Sequence, residues 1–471
     1  MAEFDLAVIG AGAAGLSVTA VAAQLGLRVA LIERDRMGGD CLNTGCVPSK
    51  ALLAASHAAM DAAAAGRFGL RIAAPSIDWE AVRAHVQGVI ATLAPMDSAE
   101  RFAALGATVL RGEASFVAPD ALQVEGQRIT ARRIVIAAGS RAAFPALPGL
   151  ADVPYHTHTS IFDLPEQPTH LLILGGGPIG LEMAQAFAGL GSRVSVVEAG
   201  RIAGREDPEL AEGLLERLRQ DGISVREECA VAKVAPGPTL VLANGARLTG
   251  SHLLVAAGRV PNLERLGLEA GQIRASRAGI ATDAGLRSVT NRRVYAVGDI
   301  ADPIGTGPRA FTHVGSYHAG LVIRRALFRL PARVDYAALP RVIYTSPELA
   351  QVGLTEAEAR AAGHDIRILR WPLSENDRAQ AERRPFGLVK LIVSSRGRVL
   401  GCGILGDHAG EMIGTWTLAI ARRIPLAALA GMIVPYPTLA EAPKRAAGSF
   451  FAPRLFAEGT KRLVRWLSHL P

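Results

Sequence analysis

Cysteine is scarce in this chain, with four in 471 residues, and the two at 229 and 402 are isolated. That rules out a disulfide-stapled secreted scaffold, and with no second cysteine or histidine cluster at ligand spacing it also argues against a structural metal centre. Aromatic residues make up 5% and are not interleaved with basic ones. The formal net charge of +8 comes mainly from dispersed arginine, since there are only five lysines, so it reads as a solvated basic surface and no nucleic-acid partner is expected. No charge-free stretch is long enough to cross a bilayer, and MAEFDLAVIG enters an apolar run without a basic leader. A cytoplasmic location is the expectation. At 49% hydrophobic and 20% charged residues, the chain has the composition of a large globular enzyme of about three domains.

Two of the four cysteines stand close together, in GGDCLNTGCVPSK at 38 to 50. Residues five apart on one helix point about 140° from each other, so Cys41 and Cys46 can meet only if the backbone between them leaves the helix. Asn43, Thr44 and Gly45 supply that break, and Pro48 suits the first turn of a helix running on through KALLAASHAAMDAA. Cys46 is thereby placed near a helix N-terminus, where partial positive charge favours thiolate, and Lys50 follows on the same face. The pattern reads as a redox-active dithiol, against the plainer alternative of two ordinary buried cysteines.

The same nucleotide-binding pattern occurs twice. FDLAVIG leads into Gly10, Gly12 and Gly15, then an apolar helix, the strand-like LRVALIE and Glu33. HLLILGGGPIG ends in Gly175, Gly177 and Gly180, and SRVSVVE ends in Glu198. In both copies the acid follows the first glycine by 23 residues. Strand, glycine turn, helix, strand and acid is the order that sets a pyrophosphate on a helix N-terminus and a carboxylate on a ribose. Each unit returns through an apolar strand, RIVIAAGS to Gly139 and HLLVAAGR to Gly258.

A dithiol does not exchange hydride with a nicotinamide directly, and a flavin is the usual intermediary. The unit that carries the dithiol is therefore assigned to FAD and the other to the pyridine nucleotide. Asp299, after the strand-like RRVYAVG, is placed to bond a ribityl hydroxyl, or else is a turn residue. Thr312 and His313 open another helical segment, where Thr312 either stabilises charge on a flavin or caps the helix. Lys50, Ala114 and Gly139 are further expected cofactor contacts. Glu198 favours NADH by repelling a 2′-phosphate, whereas Arg201 and Arg205 suit NADPH.

With these residues in view, the chain resembles the class I pyridine nucleotide-disulfide oxidoreductases, the flavoprotein disulfide reductases that include dihydrolipoyl dehydrogenase, glutathione reductase and mercuric reductase. The likeness runs nearly end to end, through both glycine units, VAAGRVPN, VYAVGDI, and VIYTSPELAQVGLTEAEA from Val342. It implies an α/β fold of two Rossmann-like dinucleotide-binding domains plus a C-terminal α+β dimerisation domain. The expected limits are 1–150 and 268–335 for FAD, 151–267 for NAD(P), and 336–471 for the interface. It further implies that Cys41 meets the substrate, Cys46 lies against the flavin, Lys50 pairs with Glu182, and the enzyme is a homodimer.

In the disulfide-reducing members a histidine and a glutamate five residues later form an acid/base dyad given across the dimer. Here VPYPTLAE puts Tyr436 in the histidine's place and keeps Glu441. A phenol with a pKa near ~10 is a poor base at neutral pH, so Tyr436 donates a hydrogen bond, contacts a metal-bound substrate or packs an interface. Mercuric reductases are similar at this point and carry a further C-terminal cysteine pair, which this chain lacks after Cys402.

The expected activity is electron transfer from NAD(P)H through FAD and the cysteine pair to a small-molecule or metal-ion acceptor. The alternatives are a dihydrolipoyl dehydrogenase or a non-catalytic redox sensor. KRLVRWLSHLP, from Lys461, has apolar residues at helical spacing and reads as a terminal helix packed on the body, with membrane-surface contact as the lesser reading.

Overall fold

The computed structural model describes residues 2–470. Strand β1 (Phe4–Ile9) is apolar on both faces and almost wholly buried, the pattern of a central parallel strand covered by helices on each side. It leads into helix α1 (Ala13–Gln24) and strand β2 (Val29–Glu33), which pairs parallel to β1 with Val8 opposite Leu31. On the other side, β1 pairs with the end of strand Gln127–Ile136, and Val294–Ala296 adds beyond it, so a segment distant in sequence completes the first sheet. An antiparallel excursion, Ala114–Ala118 and Ala121–Val124, branches from that long strand.

The second unit repeats this plan. Four parallel strands lie in the order Ser224–Arg226, Arg193–Val197, His170–Leu174, His252–Val255, with a three-stranded antiparallel excursion over 231–249. The third part is different. Its five strands, Arg341–Ile343, Glu348–Gly353, Val399–Gly406, Leu388–Ser394 and Ile366–Pro372 in spatial order, are all antiparallel, and helices Ala409–Arg422 and Glu441–Ser449 pack on the sheet. The whole is an α/β fold of two Rossmann-like domains and a C-terminal α+β domain.

Among the described residues one named ladder crosses the limits expected from the sequence, the short pairing of Ser140–Ala142 with Arg259–Pro261. We propose 1–150, 151–267, 268–335 and 336–471 as the domain limits on that basis. The second and third domains are tied by Lys390, whose side chain is 4% exposed and meets Asp207 at 2.9 Å, Glu209 at 2.8 Å and Glu356 at 3.0 Å. No helix among the described residues is long and apolar enough to cross a membrane.

Helix α2 (Gly39–Asn43) stops at Thr44, Gly45 intervenes with φ −122° and ψ −109°, and helix α3 (Cys46–Ala63) begins at Cys46. α3 then packs along helix Pro178–Gly189 of the second domain. The two approach closely at Gly189, where a Cβ would stand 2.2 Å from Ser56 Oγ. That crossing fixes the dithiol helix against the second nucleotide unit.

Candidate active site

The two glycine turns have matching geometry. Gly10 and Gly175 adopt φ of +101° and +118°, and a Cβ on either would lie 2.5 or 2.4 Å from the carbonyl oxygen of Ala137 or Ala256 on the returning strand. Gly15 and Gly180 leave no room either, since a Cβ there would fall 1.9 or 2.0 Å from the carbonyl of Gly10 or Gly175. The acids repeat as well: Glu33 Oε2 accepts from Ala11 N at 2.6 Å, and Glu198 Oε2 from Gly176 N at 2.7 Å. Each acid therefore clamps its own glycine turn while lining the cleft.

Both helices after the turns, at Gly12 and Gly177, lack a side-chain cap, and no atom lies within 4 Å of where a Gly177 Cβ would stand. Uncapped N–H groups facing open space, with a carboxylate at the neighbouring strand end, fit a dinucleotide pyrophosphate and ribose. Both turns line one cleft of about 1820 Å³, which also takes in Lys50, Ala114, Gly139, Gly258, Asp299 and Thr312. The residues present thus fit FAD in the first unit and a pyridine nucleotide in the second.

The cysteines lie in the same cleft, both free and partly buried. Cys46 is brought down to about 6, first by the hydrogen bond with Cys41 and then, against burial, by Thr312 and the Lys50 charge. Cys41 is driven the other way by that same hydrogen bond, by burial and by the neighbouring negative charge. The pair therefore shares one proton between them, and Thr312 and the Lys50 charge favour the thiolate on Cys46. Thr312 Oγ1 lies 3.1 Å from Cys46 Sγ and donates to it when Cys46 is charged. The helix Thr312–Val322 has no side-chain cap, so the capping alternative for Thr312 is not what the structure displays. His313 points elsewhere, to the Pro340 carbonyl at 3.0 Å, and burial lowers its pKa.

Lys50 Nζ meets Glu182 Oε2 at 2.7 Å and sits 4.3 Å above the Tyr344 ring. The other Glu182 oxygen accepts from Tyr344 N at 3.1 Å, which locks the carboxylate in place. Asp299 Oδ2 accepts from Ser140 Oγ at 2.5 Å.

Tyr436 and Glu441 are not among the residues lining this cleft in the single chain. Tyr436 is 68% exposed and its Oη donates to Asp377 Oδ2 at 2.6 Å, which raises its pKa further. Glu441 opens helix Glu441–Ser449 and lies 3.8 Å from Arg445. Cys402 is fully buried in the third sheet, and burial pushes its thiol well above the ordinary value.

One cluster carried no joint signal in the sequence. Asp40, next to Cys41, receives Arg259 Nη2 at 2.5 Å and lies 3.1 Å from His158 Nε2, while Thr44 also bonds to it. Burial would raise the Asp40 carboxyl, but His158 and Arg259 outweigh it and hold the group well below the usual range. Arg259 Nε also donates to Ser140 Oγ at 2.8 Å and lies 3.7 Å from Asp299. Asp40 and Arg259 both stand in recognised motifs, GGDC and VAAGRVPN; nothing in the sequence points to His158.

A dithiol with divided proton and charge, set between two dinucleotide turns, defines a flavin-linked disulfide oxidoreductase. The chain belongs to the pyridine nucleotide-disulphide oxidoreductase family: that family's profile matches residues 4–338, and its dimerisation domain matches 339–447. Members of this family use FAD and NAD(P)H, and so does this enzyme. Among its relatives, a mercuric reductase of Streptomyces lividans is 38% identical, covering 95% of this chain and 96% of the relative. A dihydrolipoyl dehydrogenase of Chlamydia trachomatis is 34% identical, covering 93% and 95%. Of solved structures, the Cu(II) complex of the HOCl-induced flavoprotein disulfide reductase RclA from Escherichia coli superposes with a TM-score of 0.84 at 28% identity, covering 95% of this chain and 99% of that one.

Proposed function

We propose that this enzyme passes electron pairs from NAD(P)H to a soft metal ion through the Cys41–Cys46 pair, in the manner of a mercuric reductase. The observation that carries the reading is the tyrosine at position 436, its Oη tied to Asp377, where dithiol exchange would need a base. Bound FAD supplies the two-electron relay between nicotinamide and disulfide. Gly10, Gly12, Gly15, Glu33, Ala114, Gly139 and Asp299 hold it, while Gly175, Gly177, Gly180, Glu198 and Gly258 hold the pyridine nucleotide.

Cys46 keeps the negative charge, steadied by Thr312 and by the Lys50 charge, against the neighbouring Glu182 carboxylate. Cys41 keeps the proton and is the thiol that meets the acceptor. Reduction of the disulfide takes up two electrons and the one proton that Cys41 holds; a divalent soft ion bound by the two sulfurs takes the electrons on again as Cys41 releases that proton, and the ion itself needs none. Dithiol exchange, by contrast, requires a proton to be shuttled, and a phenol tied to Asp377 serves that poorly. We place Tyr436 and Glu441 at the partner subunit's dithiol in a homodimer, where the tyrosine contacts the bound ion.

NADH is the proposed donor, because both Glu198 oxygens are fixed by backbone N–H groups, of Gly176 at 2.7 Å and Gly200 at 2.8 Å, which hold an acceptor side chain where the ribose would lie. Arg201 and Arg205 line the cleft, and the pairing of Arg201 with Glu212 at 2.6 Å offsets its charge toward a 2′-phosphate.

The test is steady-state reduction of Hg(II), Cu(II), lipoamide and glutathione disulfide by the holoenzyme, with and without Tyr436→His. Metal-ion turnover far above lipoamide turnover supports the reading, with the histidine variant raising the latter. High lipoamide activity in the native enzyme would identify a dihydrolipoyl dehydrogenase instead.

A further inference from the structure

We infer that helix Glu458–Leu467 is a docking element for an anionic lipid surface. It lies past residue 447, where the match to the dimerisation domain stops. It does not pack on the body as its sequence suggests. None of its residues is buried, and its packing is against the short helix Ala452–Leu455.

At about 100° per residue, Leu463, Val464, Trp466 and Leu467 fall within one arc of roughly 160°. Lys461, Arg462 and Arg465 occupy the opposite arc. The apolar arc faces solvent, Trp466 being 62% exposed, and Phe456 just before the helix is 65% exposed. A ten-residue helix packed only on a four-residue neighbour is marginal in water, so its apolar face calls for a further cover.

Two occupants are conceivable, a second copy of the chain and a lipid surface. A second copy carries the same net charge of +8, so seating this basic helix on it sets like charges together, and two such short faces by themselves bury too little for a stable interface. A bilayer surface fits both arcs together. The apolar side chains enter the acyl boundary with Trp466 at its edge, and the basic arc, whose one acid Glu458 is already paired with Lys461 at 2.8 Å, faces acidic headgroups. Attraction of this kind is screened by salt.

The experiment is flotation of the FAD-loaded full chain with phosphatidylcholine vesicles, with and without phosphatidylglycerol, at low and high salt. Binding is expected only to the phosphatidylglycerol vesicles and is expected to weaken with salt. Joint replacement of Lys461, Arg462 and Arg465 by Glu is expected to lower it by about a hundredfold. Trp466→Glu is expected to abolish it while NADH turnover stays unchanged. No flotation, or equal flotation with neutral vesicles, would overturn the proposal. So would a fall in molecular mass by light scattering in Trp466→Glu, which would mark the face as a contact between copies.

Discussion

The two glycine-turn units share one backbone and differ in the residues beyond the acid. After Glu33 the chain runs through Gly38 and Gly39 into α2, so that the first turn is roofed by the cysteine-bearing segment, with Gly12 and Gly38 joined in a parallel bridge. After Glu198 the chain runs into an arginine-bearing loop, and the space before Gly177 stays open. The turn itself therefore supplies phosphate binding alone. The relay proposed for the first unit comes from Cys41, Cys46 and Lys50 beyond its acid, joined by Thr312 and Glu182 from distant segments.

The largest test of that difference is Cys41→Ala. Acceptor reduction in steady state is expected to fall on the order of 10³-fold, the scale on which losing a nucleophile is felt, while FAD stays bound and reducible by NADH. Unchanged turnover would remove the cysteine segment from the relay.

Next come Gly10→Ala and Gly175→Ala, which introduce the same positive-φ strain and the same carbonyl clash, at about 1–3 kcal/mol for the strain. Absorbance of the purified proteins should show flavin lost from the first variant and retained in the second, whose reduction by NADH slows at least about tenfold. The reverse pattern would exchange the assignments of the units.

A smaller effect is expected of Lys50→Met. The Cys46 thiolate is depressed from the ordinary thiol value to about 6, so in the reduced enzyme it persists above that pH and is lost as pH falls through it. Removing the Lys50 charge should raise the midpoint by about one unit in a thiolate absorbance titration. The smallest effect belongs to Arg201→Ala, which should alter the ratio of NADH to NADPH efficiencies less than about fivefold, because the side chain is held in an exposed pair with Glu212.

Much of this site is legible in the sequence because its constraints are local. Gly10 and Gly15 announce themselves through spacing, since each is excluded from bearing a Cβ by backbone a few residues or one strand away. Cys46 at a helix start follows from Gly45 and Pro48. The Asp40, His158 and Arg259 cluster is not legible, for its members come from three separated segments and meet only when the domains close on each other. The exposed face of helix Glu458–Leu467 departs from the sequence expectation for a related reason: an amphipathic pattern states that one face is apolar and says nothing of what covers it. The positions of Tyr436 and Glu441 away from the cleft of their own chain likewise depend on how copies assemble.

The most direct measurement is an anaerobic titration of the holoenzyme with NADH, combining the flavin spectrum with alkylation and mass analysis of the peptide bearing residues 41 and 46. If the dithiol is the relay, the first equivalent leaves the flavin oxidised, produces long-wavelength thiolate-to-flavin absorbance, and makes Cys41 and Cys46 alkylatable together. Bleaching of the flavin by the first equivalent, with no new alkylation at either cysteine, would exclude that role.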